Sequence, residues 1–268
     1  MPRYALLIQY DGSKLSGSQR QANALTVQGE IEKALRIYYR SPLSLILASR
    51  TDAGVHARGM VGHVDLPESL SDPFERRSLC LHLSGILRKD IAVLACEQVA
   101  SDFHARNQAI RRTYQYYLRP HSITQPLDGG QVTVVPAKLS LDDLNALAQT
   151  LIGRHDFRLF SRETSSPSRP VCDVSESYWY ERADGVFIYR ISADHFLYRM
   201  IRTIVGTKIA LLSGNIENLS FENTLLRWRN FGRGLLLKED FPLGSSAPAK
   251  GLCLEKITYP IPLFDHHV

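Results

Sequence analysis

Twice along this chain, short apolar runs of strand length alternate with longer stretches whose apolar residues recur at helical spacing, and that order limits the folds open to it. Arg3 to Tyr10 is a compact apolar run closed by Asp11-Gly12, which reads as a strand and a turn. Thr26 can cap a helix in which Val27, Ile31, Ala34, Leu35 and Tyr38 recur at helical spacing. Leu43 to Ala48 reads as a short strand, Gly59 to Leu66 as extended, Leu81 to Leu87 as helical and Ile91 to Ala95 as a strand. In the second half, the tyrosine-rich run Arg112 to Leu118 is a strand. A helix from Ser140 to Ile152 follows, with Ser140 and Asp143 resembling a capping box and Gly153 at its end. Ser175 to Tyr180 and Gly185 to Ile191 pair around the polar turn Arg182-Ala183-Asp184. Leu197 to Leu212 is a helix, and Leu252 to Tyr259 a final strand. Pro120 to Gly130 is a break and Arg162 to Pro170 a loop rich in serine and proline. The order predicts two similar α+β units with a boundary near Asn107 to Arg112, although no residue-level repeat accompanies it.

A chain of 268 residues can form two packed halves with a sizeable core. A net charge of +5 and a pI near 9.0 suit a polyanionic partner, because Lys and Arg neutralise phosphate. Cys80, Cys96, Cys172 and Cys253 form no C-x-x-C pair, so no zinc ribbon or thioredoxin-like site is indicated, and scattered single thiols fit a cytosolic protein. The N-terminus does not read as a signal peptide, and no apolar stretch approaches the roughly 18 residues that span a bilayer. These features point to a cytoplasmic, non-membrane protein. His56, His63, His104, His155 and His195 lack metal-ligand spacing. No G-x-S-x-G elbow, phosphate-binding G-x-x-x-x-G-K-[ST] loop or G-x-G-x-x-G turn is present, so neither a metal nor a nucleotide cofactor is expected.

The densest chemistry lies in Arg50-Thr51-Asp52-Ala53-Gly54-Val55-His56-Ala57. An apolar strand delivers a cation, a hydroxyl and a carboxylate into a loop whose glycine permits positive φ. A capped turn with a local Arg50–Asp52 pair would account for the same residues.

The octapeptide resembles the active-site motif of the TruA family of tRNA pseudouridine synthases. Other segments agree in order: Tyr10-Asp11-Gly12, Gln19-Arg20-Gln21, Thr26 to Glu30, Phe103-His104-Ala105-Arg106, Arg112 to Tyr116, His155-Asp156-Phe157, Phe196 to Gly206 and Ala247 to Leu252. The resemblance implies two similar ferredoxin-like, RRM-like halves forming a continuous, mostly antiparallel sheet flanked by helices. With the boundary read above, residues 1–108 are the catalytic-loop domain and 109–268 the C-terminal domain, and the resemblance implies an active-site cleft between them. It also implies isomerisation of uridine to pseudouridine in the anticodon stem-loop of tRNA, without a cofactor, by a homodimer.

Asp52 would then be the essential catalytic carboxylate, and Arg50 would help displace the target nucleotide. Tyr114 would lie against the flipped uracil, because stacking lost on base flipping must be replaced. Arg202 would pair with Asp52, since a buried carboxylate needs a cationic partner, and Leu252 would close the apolar side of the pocket. Gly206, one turn beyond Arg202, leaves space for another chain segment. Whether Asp52 serves as nucleophile or base stays open. Arg20, Arg58, Arg106, Arg111, Arg112, Arg199, Arg227, Arg229 and Arg233 are candidates for an RNA surface. Ser18 stands where the family usually has tryptophan and Arg88 where it has proline, and Asn230 to Ser246 is an unusual version of its segment; none is expected to touch the catalytic set. A noncatalytic RNA-binding protein on this scaffold, or an RNA hydrolase using Asp52 and a histidine, are the rival readings.

Overall fold

The computed structural model describes residues 1–70, 72–121, 123, 125–136, 138–162, 167, 169–214 and 243–264. The chain separates into two compact units, one running from Met1 to Arg112 and resuming at Cys253, the other spanning Thr113–Leu252. The fold is α+β, with strands paired mostly antiparallel.

In the first unit, β1 (Arg3–Tyr10) is the central strand, flanked by β3 (His56–Asp65) and β4 (Ile91–Val99), both antiparallel to it. Tyr4 faces Val64 on one side and Gln98 on the other, and Tyr4, Leu6 and Ile8 are fully buried. The expected strand at Leu43 to Ala48 is reduced to β2 (Ile46–Leu47) on the edge of β3. Helix α1 (Val27–Tyr39) starts as the sequence predicts: the Thr26 side chain accepts from Gly29 N–H, and Val27, Ile31, Ala34 and Leu35 are buried. Helix α2 (Pro73–Ile86) begins two turns before the expected Leu81, behind a capping box formed by Asp72 and Glu75 with Pro73 in the first turn. Its period is hard to read because it buries only Leu79, Cys80 and Leu83, while Phe74 and Leu81 face solvent.

The second unit contains β5 (Arg111–Pro120, apart from its first two residues), β6 (Thr133–Val135), α3 (Leu141–Gln149), β7 (Gly153–Asp156), β8 (Val171–Glu181), β9 (Phe187–Ala193) and α4 (Met200–Leu212). The strand order is β5-β9-β8-β7, with β6 parallel on β5. Strands β8 and β9 form the expected hairpin, in which Trp179 opposes Tyr189 and the two rings stack at 4.9 Å. The Ser140 side chain accepts from Asp143 N–H and starts α3. Two strands carry no mark in the sequence. β6 is three residues long, and β7 lies in the polar Gly153–Asp156 with no apolar alternation to mark it.

The chain then returns to the first unit as β10 (Leu252–Thr258), parallel to β3, with Cys253 opposite His56 and Leu254 opposite Ala57. It therefore passes between units twice, at 112/113 and at 252/253, where the sequence reading drew a single boundary. No helix among the described residues is long and apolar enough to cross a membrane.

Candidate active site

The octapeptide joins β2 to β3 in the first unit, and its last two residues, His56 and Ala57, already belong to β3. Thr51 and Gly54 are held by the 10–18 segment, and Asp52 and Val55 by the loop's own turn. Thr51, buried, has its hydroxyl 2.8 Å from that of Tyr10; its N–H donates to Ser18 Oγ (2.8 Å) and its carbonyl accepts from Ser18 N–H (3.1 Å). The Asp52 carbonyl accepts from Val55 N–H (3.2 Å) across a tight turn, with Gly54 at φ +81°. Gly54 N–H in turn reaches Leu15 O at 3.3 Å. His56 is buried and its Nδ1 accepts from Gly12 N–H at 3.1 Å, with Asp11 Oδ1 equally close. Burial pushes the Asp11 carboxyl up, but Ser13 and His56 outweigh it and hold it below the usual carboxylate range. Gly12 has to be glycine: a Cβ there would lie 2.0 Å from the Val55 carbonyl oxygen.

The turn therefore presents Asp52 half-buried on a rigid backbone, with Arg50 exposed just before it. Among the described residues Arg50 has no acidic partner, so the local Arg50–Asp52 pair that a plain capped turn would explain does not form. Ser18, a departure not expected to touch the catalytic set, is fully buried and makes its two hydrogen bonds to Thr51, between Arg50 and Asp52. No sequence signal marks a contact across 33 positions. Arg88, the other departure, pairs with Asp90 at 3.1 Å near the surface.

The other three expected site residues belong to the second unit. Tyr114, on β5, is buried and set edge-on to Phe196 with ring centroids 5.4 Å apart. Arg202, in the first turn of α4, is half-buried. Its Nε donates to Ala247 O (2.8 Å) while Ala247 N–H donates to Arg202 O (2.9 Å). This reciprocal pair is possible because Gly206 lets the 243–247 segment cross α4 at backbone distance: a Cβ on Gly206 would sit 1.8 Å from Ser245 O. The space expected beside Gly206 is thus filled by that segment. Leu252 is buried and follows directly on the turn Ala249–Gly251. Tyr116 braces that turn, its hydroxyl donating to Pro248 O at 3.0 Å and lying 2.8 Å from Thr133 Oγ1. Arg202 and Leu252 are thereby joined through residues 247–252, a link the sequence does not reveal.

Of the basic candidates, Arg20 pairs with Glu32 (3.2 Å), Arg58 approaches Glu255 (3.8 Å) and Arg199 lies over the Tyr198 ring (5.1 Å). Arg111 and Arg112 open β5. Arg227, Arg229 and Arg233 lie outside the described residues. His63 is buried and its pKa is lowered to about 4, first by burial and then by Arg3 and His104. Among the described residues, no three His, Cys, Asp or Glu are grouped to hold a metal ion.

A family model described as tRNA pseudouridine synthase matches residues 147–260. Relatives named tRNA pseudouridine synthase A match nearly the whole chain. The one from Porphyromonas gingivalis is 36% identical over 265 residues, covering 98% of this chain and 100% of the relative. The chain belongs to the tRNA pseudouridine synthase family. Its similarity to the Maricaulis maris relative is likewise 36%, over 98% of this chain and 100% of that protein, and to the Chlorobium phaeovibrioides relative 35%, over 97% and 100%. As a family member it is an isomerase.

Proposed function

We propose that this chain isomerises uridine to pseudouridine in the anticodon stem-loop of tRNA, with Asp52 as the essential carboxylate. The observation that carries the reading is the backbone around Asp52. Ser18, Tyr10 and Leu15 hold the loop from one side and the Asp52–Val55 turn closes it, so the backbone that carries a half-buried carboxylate is fixed before substrate arrives. Full-length similarity to proteins named tRNA pseudouridine synthase A supports tRNA as the substrate.

In the reaction the bond from ribose C1′ to uracil N1 breaks, the base turns, and C1′ bonds to C5. C5 gives up a proton and N1 gains one, so nothing is oxidised or consumed. Asp52 serves this sequence as nucleophile or as base. Arg50 displaces the nucleotide from its stack, Tyr114 lies against the extracted uracil, Arg202 is the counter-charge to Asp52, and Leu252 closes the apolar wall. The active form is a cytoplasmic homodimer.

Purified protein incubated with a panel of unmodified tRNAs, without added metal, is expected to form pseudouridine in the anticodon arm. Its absence across the panel would overturn the reading. Asp52→Asn is expected to abolish turnover while tRNA binding stays within a few-fold of wild type. A noncatalytic RNA-binding protein would be indifferent to that substitution, and a hydrolase would release free base or cut the chain.

A further inference from the structure

One guanidinium in the first unit is held out by a segment whose backbone is occupied almost throughout. Phe103 O accepts from Arg3 Nη1 (2.8 Å), and Phe103 N–H donates to Ala100 O (2.9 Å). Ala105 N–H donates to buried His63 Nδ1 (3.1 Å), and Ala105 O accepts from the Tyr259 hydroxyl (2.6 Å). His104 Nδ1 accepts from the N–H groups of Arg106 (3.2 Å) and Asn107 (3.3 Å). What this scaffold leaves exposed is the Arg106 side chain, which has no acidic partner among the described residues. Arg50 is in the same position on the catalytic loop.

Arg112 couples the two. Its Nη2 donates both to Arg106 O (2.8 Å) and to Ala48 O (3.3 Å), two residues before Arg50, while its Nη1 donates to Ala109 O (2.8 Å). One side chain thus ties the Arg106 segment to the strand end that enters the Asp52 loop. Arg112 thereby sets the two backbone segments beside each other, and the charge of Arg50 adds to partial desolvation in lowering the Arg106 pKa. Two like charges brought together favour an anion, because a shared anion relieves both. Guanidinium forks match the paired oxygens of a phosphodiester.

We propose that Arg50 and Arg106 bind one backbone phosphate of the RNA substrate, at a site whose geometry Arg112 sets as a positioning residue. The inference rests on the reading of the substrate as tRNA. A phosphate held there registers the strand against the Asp52 loop without reading its sequence, which is the usual task of phosphate contacts.

The test is the salt dependence of tRNA binding by the full-length protein, with pseudouridine formation by the wild type measured in parallel. For Arg106→Gln, tRNA affinity at low salt is expected to fall severalfold, and the slope of log K against log salt to flatten by roughly one. Arg106→Lys is expected to keep the slope. Arg112→Gln is expected to flatten it like Arg106→Gln, with no further flattening in the double variant. If Arg112→Gln does not fold, the exposed Arg106 substitution decides alone. An unchanged slope and affinity in Arg106→Gln overturns the proposal, and if the wild type still forms pseudouridine, the functional reading survives. A flattened slope with no pseudouridine formed by the wild type leaves the phosphate site standing and overturns the functional reading. Absence of tRNA binding by the wild type overturns both.

Discussion

Ser18 sits where the sequence gives least warning and the geometry gives most. Its hydroxyl is the acceptor for Thr51 N–H, and both groups are buried. Removing that acceptor leaves a buried amide without its partner, at a cost of about 1–3 kcal/mol. It also releases the residue that sets the direction of Asp52. Ser18→Ala is therefore expected to lower the melting temperature and to reduce the single-turnover rate more than it weakens tRNA binding. Unchanged stability and rate would show that Thr51 is fixed by Tyr10 alone. At this scale the octapeptide was legible because its residues are adjacent, and its chemistry could be read as a string. Ser18 was not, because its role depends on two segments meeting, and a serine in place of tryptophan reads only as a departure.

Among the elements, α4 carries the largest difference between pattern and packing. The sequence predicts an apolar stripe on one face, yet Met200, Ile201 and the run Thr203–Lys208 are all buried. Lys208, outside the predicted stripe, is fully buried, with Nζ 4.1 Å over the Tyr189 ring. The 243–247 segment covers the side of α4 that carries Arg202, Thr203, Gly206 and Thr207. Gly244 N–H bonds Thr207 Oγ1 (3.2 Å), the hydroxyls of Ser246 and Thr203 meet at 3.1 Å, and Arg162 holds Gly244 O at 2.8 Å. Gly206→Ala would drive a methyl into Ser245 O and push this segment off the helix. We expect a loss of about 1–3 kcal/mol in chemical denaturation. Activity should fall beyond that loss, because Ala247, the partner of Arg202 Nε, moves with the segment. Wild-type stability in that variant would mean that the segment tolerates displacement. Gly206 was readable as a close approach; which segment approaches was not.

For the whole molecule, acid sensitivity follows from the anchoring of the 103–107 segment. His63 accepts from Ala105 N–H and must be neutral at Nδ1 to do so; its pKa of about 4 in the folded protein lies below the usual 6.5. The unfolded chain therefore takes up the proton first. The stabilisation is complete above about pH 6.5 and is lost progressively as pH falls towards 4, on the order of 2–3 kcal/mol in all. Melting temperatures measured from pH 7 to pH 4.5 should fall more steeply for wild type than for His63→Gln, whose carboxamide oxygen can still accept from Ala105. Equal slopes would remove His63 from the account.

The order of synthesis acquires a meaning from β10. The unit that bears Asp52 is begun first, but its last strand, together with the Tyr259 hydroxyl that holds Ala105, comes from beyond residue 252. About 140 residues of the other unit intervene, on the order of ten seconds of translation. Throughout that interval the Asp52 loop runs into a β3 that still lacks its β10 neighbour at His56 and Ala57. The unit begun first is therefore the one closed last, by residues made only after the whole of Thr113–Leu252.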